Sequence, residues 1–284
     1  MKRIILWLLL LGWAMPVHAK SSMFELQCQG ATVYLGGTVH VLKEDDFPLP
    51  DAYQRAYQAS DTLVFETDMN AMKEPKAMAN MMLAMQYHDD RTLQSVLKPA
   101  TYAKLEIEAK KLDVDLMTLN NFRPVALMTL MMAIQLHQMG VKEGGVDAHF
   151  FAKAIQDGKA LTGLESVDFQ ISMLATMGEG EEDEMILSSL DDFSQMQEHW
   201  DEMIQAWREG DLTELEQQFI TPMRQHPVMY QQMLVARNQA WLPQILTMVK
   251  DHKKALILVG AAHLIGEDGL LQQLKQKGCQ ARQM

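Results

Sequence analysis

Two kinds of apolar pattern alternate along the 284 residues of the chain. Short continuous apolar runs at 62–65 and 255–259 have the character of strands covered on both faces. Segments 24–29 and 32–37 read as a strand pair turning at Gln29-Gly30, and 160–163 is a weaker strand candidate. Elsewhere the apolar positions recur at helical spacing. Tyr53, Ala56 and Tyr57 share one face of 51–60, and long helical stretches fill about 70–157 and 168–251. Gly266, Gly269 and Gly278 bracket a last helix with Leu270, Leu271 and Leu274 on its apolar face. The pattern predicts an α+β fold with an α/β-like core in one domain, 20–284. A central sheet is built from both ends of the chain (about 24–66, 160–165 and 255–284), and the helical insertions cover the carboxyl ends of its strands.

Residues 1–19 carry Lys2 and Arg3, an apolar run over 4–15 and small residues before a cut after Ala19, the arrangement of a secretory signal peptide. That run is shorter than the roughly 20 residues a bilayer-spanning helix needs, and no later run approaches that length. The chain is therefore expected to be periplasmic or secreted, with no stable membrane anchor after cleavage. A net charge of −12 argues against a nucleic-acid footprint. With two cysteines, Cys28 and Cys279, neither a disulfide scaffold nor a Cys-rich zinc module is available. In an oxidising compartment the two are either one bridge, worth on the order of 4 to 5 kcal/mol for so long a loop, or two buried thiols.

In open α/β sheets, ligands bind beyond the carboxyl ends of the strands. Four ionisable residues are expected there: His40, Glu66, Glu165 and His263. Both histidines lie in Gly-x-x-His, as Gly37-Thr-Val-His40 and Gly260-Ala-Ala-His263, directly after strands. Glycine at those places permits a tight turn and close backbone approach. Two imidazoles and two carboxylates suit Mn, Co, Zn or Fe, and such an ion lowers the pKa of bound water. A histidine at a strand end can also simply cap a loop.

At these residues the chain resembles the TraB/GumN family, relatives of the TIKI proteins. The resemblance is carried by Tyr34-Leu-Gly-Gly-Thr-Val-His40-Val, Phe47-Pro-Leu-Pro50, Leu63-Val-Phe-Glu66, Gly145-Val-Asp147, Gly163-Leu-Glu165-Ser, Arg237-Asn238 and Val259-Gly-Ala-Ala-His263-Leu-Ile-Gly266. It implies a peptidase-like metal-dependent hydrolase acting on exported or extracellular peptides or small proteins. His40, Glu66 and His263 would be catalytic residues and ligands of Mn, Co or Zn, with Glu165, Arg237 and Asp147 binding substrate or supporting them. Arg237, in a helix read over 228–250, serves equally well as an ion-pair partner for a carboxylate. The Met-rich helices match nothing recognisable in the family, so substrate identity does not carry over.

Two other readings stay open. One is metal-free hydrolysis with His40 or His263 as general base and Glu66 orienting it. The other is a non-catalytic protein that captures a peptide in the helical region. Methionine occurs 24 times, clustered at 78–85 and 128–132. These clusters read mainly as adaptable core filler, with a Met-lined peptide groove as a further reading and thioether copper as a remote one. No Gly-x-Ser-x-Gly elbow, Walker A sequence or His-Glu-x-x-His is present.

Overall fold

The apolar runs lie where the sheet is covered most completely. The computed structural model describes residues 20–28, 30–251 and 254–284; the signal peptide read over 1–19 lies outside the described residues. The strands are β1 (Met23–Cys28), β2 (Ala31–Thr38), β3 (Val41–Lys43), β4 (Thr62–Thr67), β5 (Val141–Glu143), β6 (Ala160–Glu165), β7 (Ala255–Gly260) and β8 (Gln280–Gln283). Six of them make one mixed sheet in the order β6-β4-β7-β2-β1-β8. β7 is parallel to both β4 and β2, and β4 is parallel to β6, while β1 runs antiparallel to β2 and β8. The expected α+β sheet from both chain ends is therefore present.

Position in the sheet explains the strength of each sequence signal. Residues 255–259 of central β7 are all 0% exposed, which is why every one is apolar. β6 is an edge strand with a single buried position, and its run is correspondingly weak. The two cysteines form the bridge Cys28–Cys279, tying the end of β1 to the start of β8 across a sequence separation of 251.

A second, two-stranded sheet pairs β3 with β5. This corrects the expectation that 70–157 is helical throughout, because β5 interrupts it. The pairing continues as Gly145 N–H to His40 O (2.8 Å) and Val146 N–H to Val39 O (3.0 Å), which pins the loop after β2 to the start of helix Val146–Asp157. A Cβ on Gly145 would lie 2.0 Å from Val39 O, so only glycine fits.

The helical insertions hold together around a smaller hydrophobic cluster that includes Leu93, Leu105, Leu127, Met131, Ile186 and Phe193. Their methionines are only partly core. Met78, Met82, Met117 and Met132 are 64%, 57%, 68% and 41% exposed, against the expectation of interior filler. Helix Pro75–Ala84 is apolar nearly all round and buries Ala77 alone, so no stripe in its sequence marks an inner face.

Candidate functional site

Because β2, β7, β4 and β6 run parallel, their carboxyl ends share one edge. The registers Thr38↔Gly260 and Thr67↔Glu165 bring the ends level in pairs. Glu66 is the penultimate residue of β4 and Glu165 the last of β6. His263 sits in the one-turn 3-10 helix Ala261–Leu264 that follows β7, and His40 two residues beyond β2. Helix Ala236–Lys250 adds Arg237, and helix Val146–Asp157 adds Asp147 in its first turn.

The glycines let these parts close up. A Cβ on Gly37 would lie 3.1 Å from Ala261 Cα, so that glycine lets the second Gly-x-x-His loop pack on the first. Tyr53 Oη and Trp207 Nε1 (2.8 Å) both donate to the Gly37 carbonyl, fixing that strand end from below. Gly260 donates its N–H to Glu66 Oε1 at 2.8 Å. The point where a Gly260 Cβ would sit is 3.3 Å from Glu66 Oε1 and 3.7 Å from both His40 Nε2 and His263 Cδ2. The structure thus brings His40, Glu66 and His263 to one face of one point, across more than 200 residues of sequence.

Arg237 organises the interior half of the cluster. Its Nε donates to Glu165 Oε1 (2.8 Å), and its Nη2 to Glu66 Oε2 (2.6 Å) and Glu165 Oε2 (2.9 Å). Its Nη1 donates to Met233 O (3.2 Å) and meets His263 Nε2 at 3.1 Å. Arginine has no acceptor, so His263 Nε2 accepts, and the ring carries its proton on Nδ1. Asn238 reads that tautomer. Its Nδ2 is committed to the carbonyls of His263 (3.1 Å) and Asp268 (2.8 Å), which turns Oδ1 to His263 Nδ1 at 2.7 Å. Trp241 Nε1 donates to Glu165 Oε1 (2.9 Å), and its ring lies against His263 with centroids 4.4 Å apart.

The electrostatics divide the two histidines. Burial pushes His263 down to about 4, against the pull of Glu66 and aided by Arg237 and His40, so it is neutral at pH 7. Beside Asp147, whose Oδ2 takes its Nδ1–H at 2.8 Å, His40 is raised to about 9. Desolvation by the cleft walls and Arg237 oppose that rise, and Glu66 adds to it. The His40 side chain nevertheless keeps 64% of its surface open to solvent. Burial alone would raise the Glu66 carboxyl, but His263, Arg237, His40 and the Gly260 N–H outweigh it and bring it to about 2.

A divalent ion on His40, Glu66 and His263 does not fit these donors. Glu66 Oε2 and His263 Nε2 both face the Arg237 guanidinium, Glu66 Oε1 takes the Gly260 N–H, and His263 Nδ1 holds its proton toward Asn238. A cation already binds two of the three proposed ligands, and it is part of the chain. Among the described residues no group of three or more His, Cys, Asp or Glu side chains is arranged to hold a metal ion. Among the described residues, His40 Nε2 has no hydrogen-bond partner, whereas both ring nitrogens of His263 do.

The profile of the TraB/PrgY/gumN family matches residues 22–283. The chain belongs to this family. Among curated proteins it is 24% identical over 255 residues to "Uncharacterized protein YbaP" of Escherichia coli (strain K12), covering 85% of this chain and 87% of the relative. The protein of the same name from Shigella flexneri matches to the same extent. No solved structure matches.

Within this family member, Glu165 and Arg237 form a saturated ion-pair network, so Arg237 has no N–H left for a substrate. Asp147 supports His40 directly. Sequence reasoning gave Asn238 no role and passed over Trp241, although Trp241 stands four residues after Arg237 and three after Asn238 in one helix, the spacings that place side chains on a shared face. His149, two residues after Asp147, packs on the rings of Phe47 and Phe150 instead of joining the site.

Proposed function

We propose that this chain is an exported, metal-independent hydrolase of peptide amide or ester bonds, with His40 as the proton-transfer residue. The observation that carries this reading is the His40 and Asp147 pair, in which Nδ1 is held at 2.8 Å while Nε2 and Glu66 Oε1 both lie close to the Gly260 α-carbon. A carboxylate on one ring nitrogen orients the imidazole and stabilises its charged form, which is what a general base needs when it takes up a proton. A water beside Gly260 gives a proton to His40 Nε2 and attacks the substrate carbonyl, and the proton then passes to the leaving group. Glu66 orients the water through its remaining lone pair on Oε1, while Arg237 keeps Glu66 in place.

At pH 7 a base with a pKa near 9 is mostly protonated, so the rate should rise about tenfold per pH unit until it levels off near 9. Asp147→Asn removes the charge that raises His40, and the plateau should start at a lower pH. A profile unaffected by Asp147→Asn would remove His40 from the mechanism. Export is supported by the leader pattern and by the Cys28–Cys279 bridge, of a kind retained in oxidising compartments.

A binding protein without turnover is the second reading, favoured by helical insertions that hold their own hydrophobic cluster. His40→Ala separates the two. Unchanged biological activity in a folded His40→Ala chain would favour capture over catalysis.

A further inference from the structure

A cavity of about 490 Å³ opens among the helical insertions, away from the strand ends. Methionines from separate segments line it: Met128 and Met132 from helix Pro124–Gln138, Met177 from the turn after helix Val167–Ala175, Met185 from helix Glu182–Glu209, and Met229 from helix Pro227–Tyr230. Thioether side chains adapt to varied apolar shapes, so such a lining suits a ligand class better than one rigid ligand. The volume is in the range of sites that enclose a small ligand or a few side chains.

Its charge is one-sided. Glu179, Glu181 and Asp192 line it, with His226 as the facing base. Glu179 is held by Arg91 (3.5 Å) and Arg123 (3.8 Å), which anchors the loop. Among the described residues, Glu181 and Asp192 have no ion-pair partner. Asp192 is raised from its ordinary value by burial and by neighbouring Asp191, with His226 opposing.

The cavity connects to the site through one helical run. Met229 and Gln232 line it, Met233 gives its carbonyl to Arg237, and Arg237 holds Glu66. Met229 lies about 12 Å from Arg237 at the helical rise, the span of about four extended peptide residues. We infer that this cavity recognises a peptide segment with apolar side chains bordered by lysine or arginine, some residues away from the bond cleaved at His40. The inference rests on the proposed peptide hydrolase and names its substrate class.

The test is fluorescence anisotropy of the purified chain with a labelled peptide of leucines flanked by lysines, beside a counterpart flanked by glutamates. The lysine peptide should bind and the glutamate peptide should not. Glu181→Gln with Asp192→Asn should weaken binding about tenfold. Met132→Lys, at a partly exposed position, should abolish it with the circular dichroism spectrum retained. His40→Ala should bind normally. Equal affinity for both peptides, or binding unchanged by the charge and Met132 variants, overturns the inference. Cleavage of other peptides with no preference for the basic one sinks the cavity assignment and leaves the hydrolase standing. Specific binding with no turnover by the unaltered chain does the reverse.

Discussion

The two Gly-x-x-His loops have the same motif, the same place after parallel strands and opposite chemistry. His263 is 6% exposed, neutral, and hydrogen-bonded at both ring nitrogens. His40 is open to solvent, held at one nitrogen by Asp147 and, among the described residues, unpartnered at the other. The difference comes from what the insertions deliver to each. Helix Ala236–Lys250 closes over His263 with Arg237, Asn238 and Trp241, while Asp147 reaches His40 from the side and leaves its ring uncovered. Helical insertions over the strand ends were the expectation; helices do bring Arg237, Asn238, Trp241 and Asp147 there, and they leave His40 open on one side. A motif therefore places an imidazole, and the elements packed on it decide whether it titrates, donates or stays inert.

The largest effect that would sharpen this contrast is kinetic. His40→Ala should lower hydrolysis by about 10² to 10⁴, the usual contribution of a general base, and change stability little because the ring is exposed. Retained turnover in that variant would break the comparison at its root. Arg237→Leu acts on the closed side. It leaves two buried carboxylates, Glu66 and Glu165, without their cation and should cost about 3 to 5 kcal/mol in urea unfolding. Arg237→Lys should recover only part of this, since one ammonium cannot reproduce the fork that serves both carboxylates.

Much of this arrangement was legible in the sequence. β4 and β7 announce themselves because both faces are covered, and Gly37 and Gly260 mark strand ends where backbone or side chains approach closely. The fate of each histidine was not legible. Asp147 meets His40 across 107 residues through a pairing of β3 with β5 only three residues long, too short to leave a periodic pattern. Arg237 in isolation reads equally as substrate ligand or ion-pair partner, and two carboxylates from different strands decide the matter.

The histidines should also leave opposite marks on stability against pH. His40 rises from 6.5 to about 9 on folding, so its contribution is full below about pH 6.5 and is lost as pH climbs through 9. Screening over an exposed ring keeps that contribution on the order of 1 kcal/mol. His263 falls from 6.5 to about 4, so the unfolded chain binds its proton first and stability drops as pH falls below about 6.5. Glu66 extends the acid loss from 4.5 toward about 2. Unfolding free energies across pH 4 to 9 should peak near 6.5, and Asp147→Asn should flatten the alkaline limb alone. An alkaline limb that survives Asp147→Asn would show that the His40 pair is not its source.

The smallest expected effect is the response to divalent metal. For Mn²⁺, Co²⁺ or Zn²⁺ to take Glu66 Oε2 and His263 Nε2 together, the Arg237 guanidinium has to give up its hydrogen bonds to both, the first of them to a carboxylate oxygen. Its charge would then remain buried beside the incoming ion, and charge-assisted bonds of this kind are worth about 1.5 to 3 kcal/mol each when broken. His40 Nε2 is left as a single open donor, too little for a structural site, which takes about four ligands. Dialysis against chelator should therefore leave the melting temperature unchanged to within about 1 °C, and metal added back should leave turnover unchanged. A rise in melting temperature that saturates with one of these ions, is lost in His263→Asn and is reversed by chelator would mean that Arg237 yields the centre to a metal. The contrast between a closed and an open histidine would then hold only for the metal-free chain.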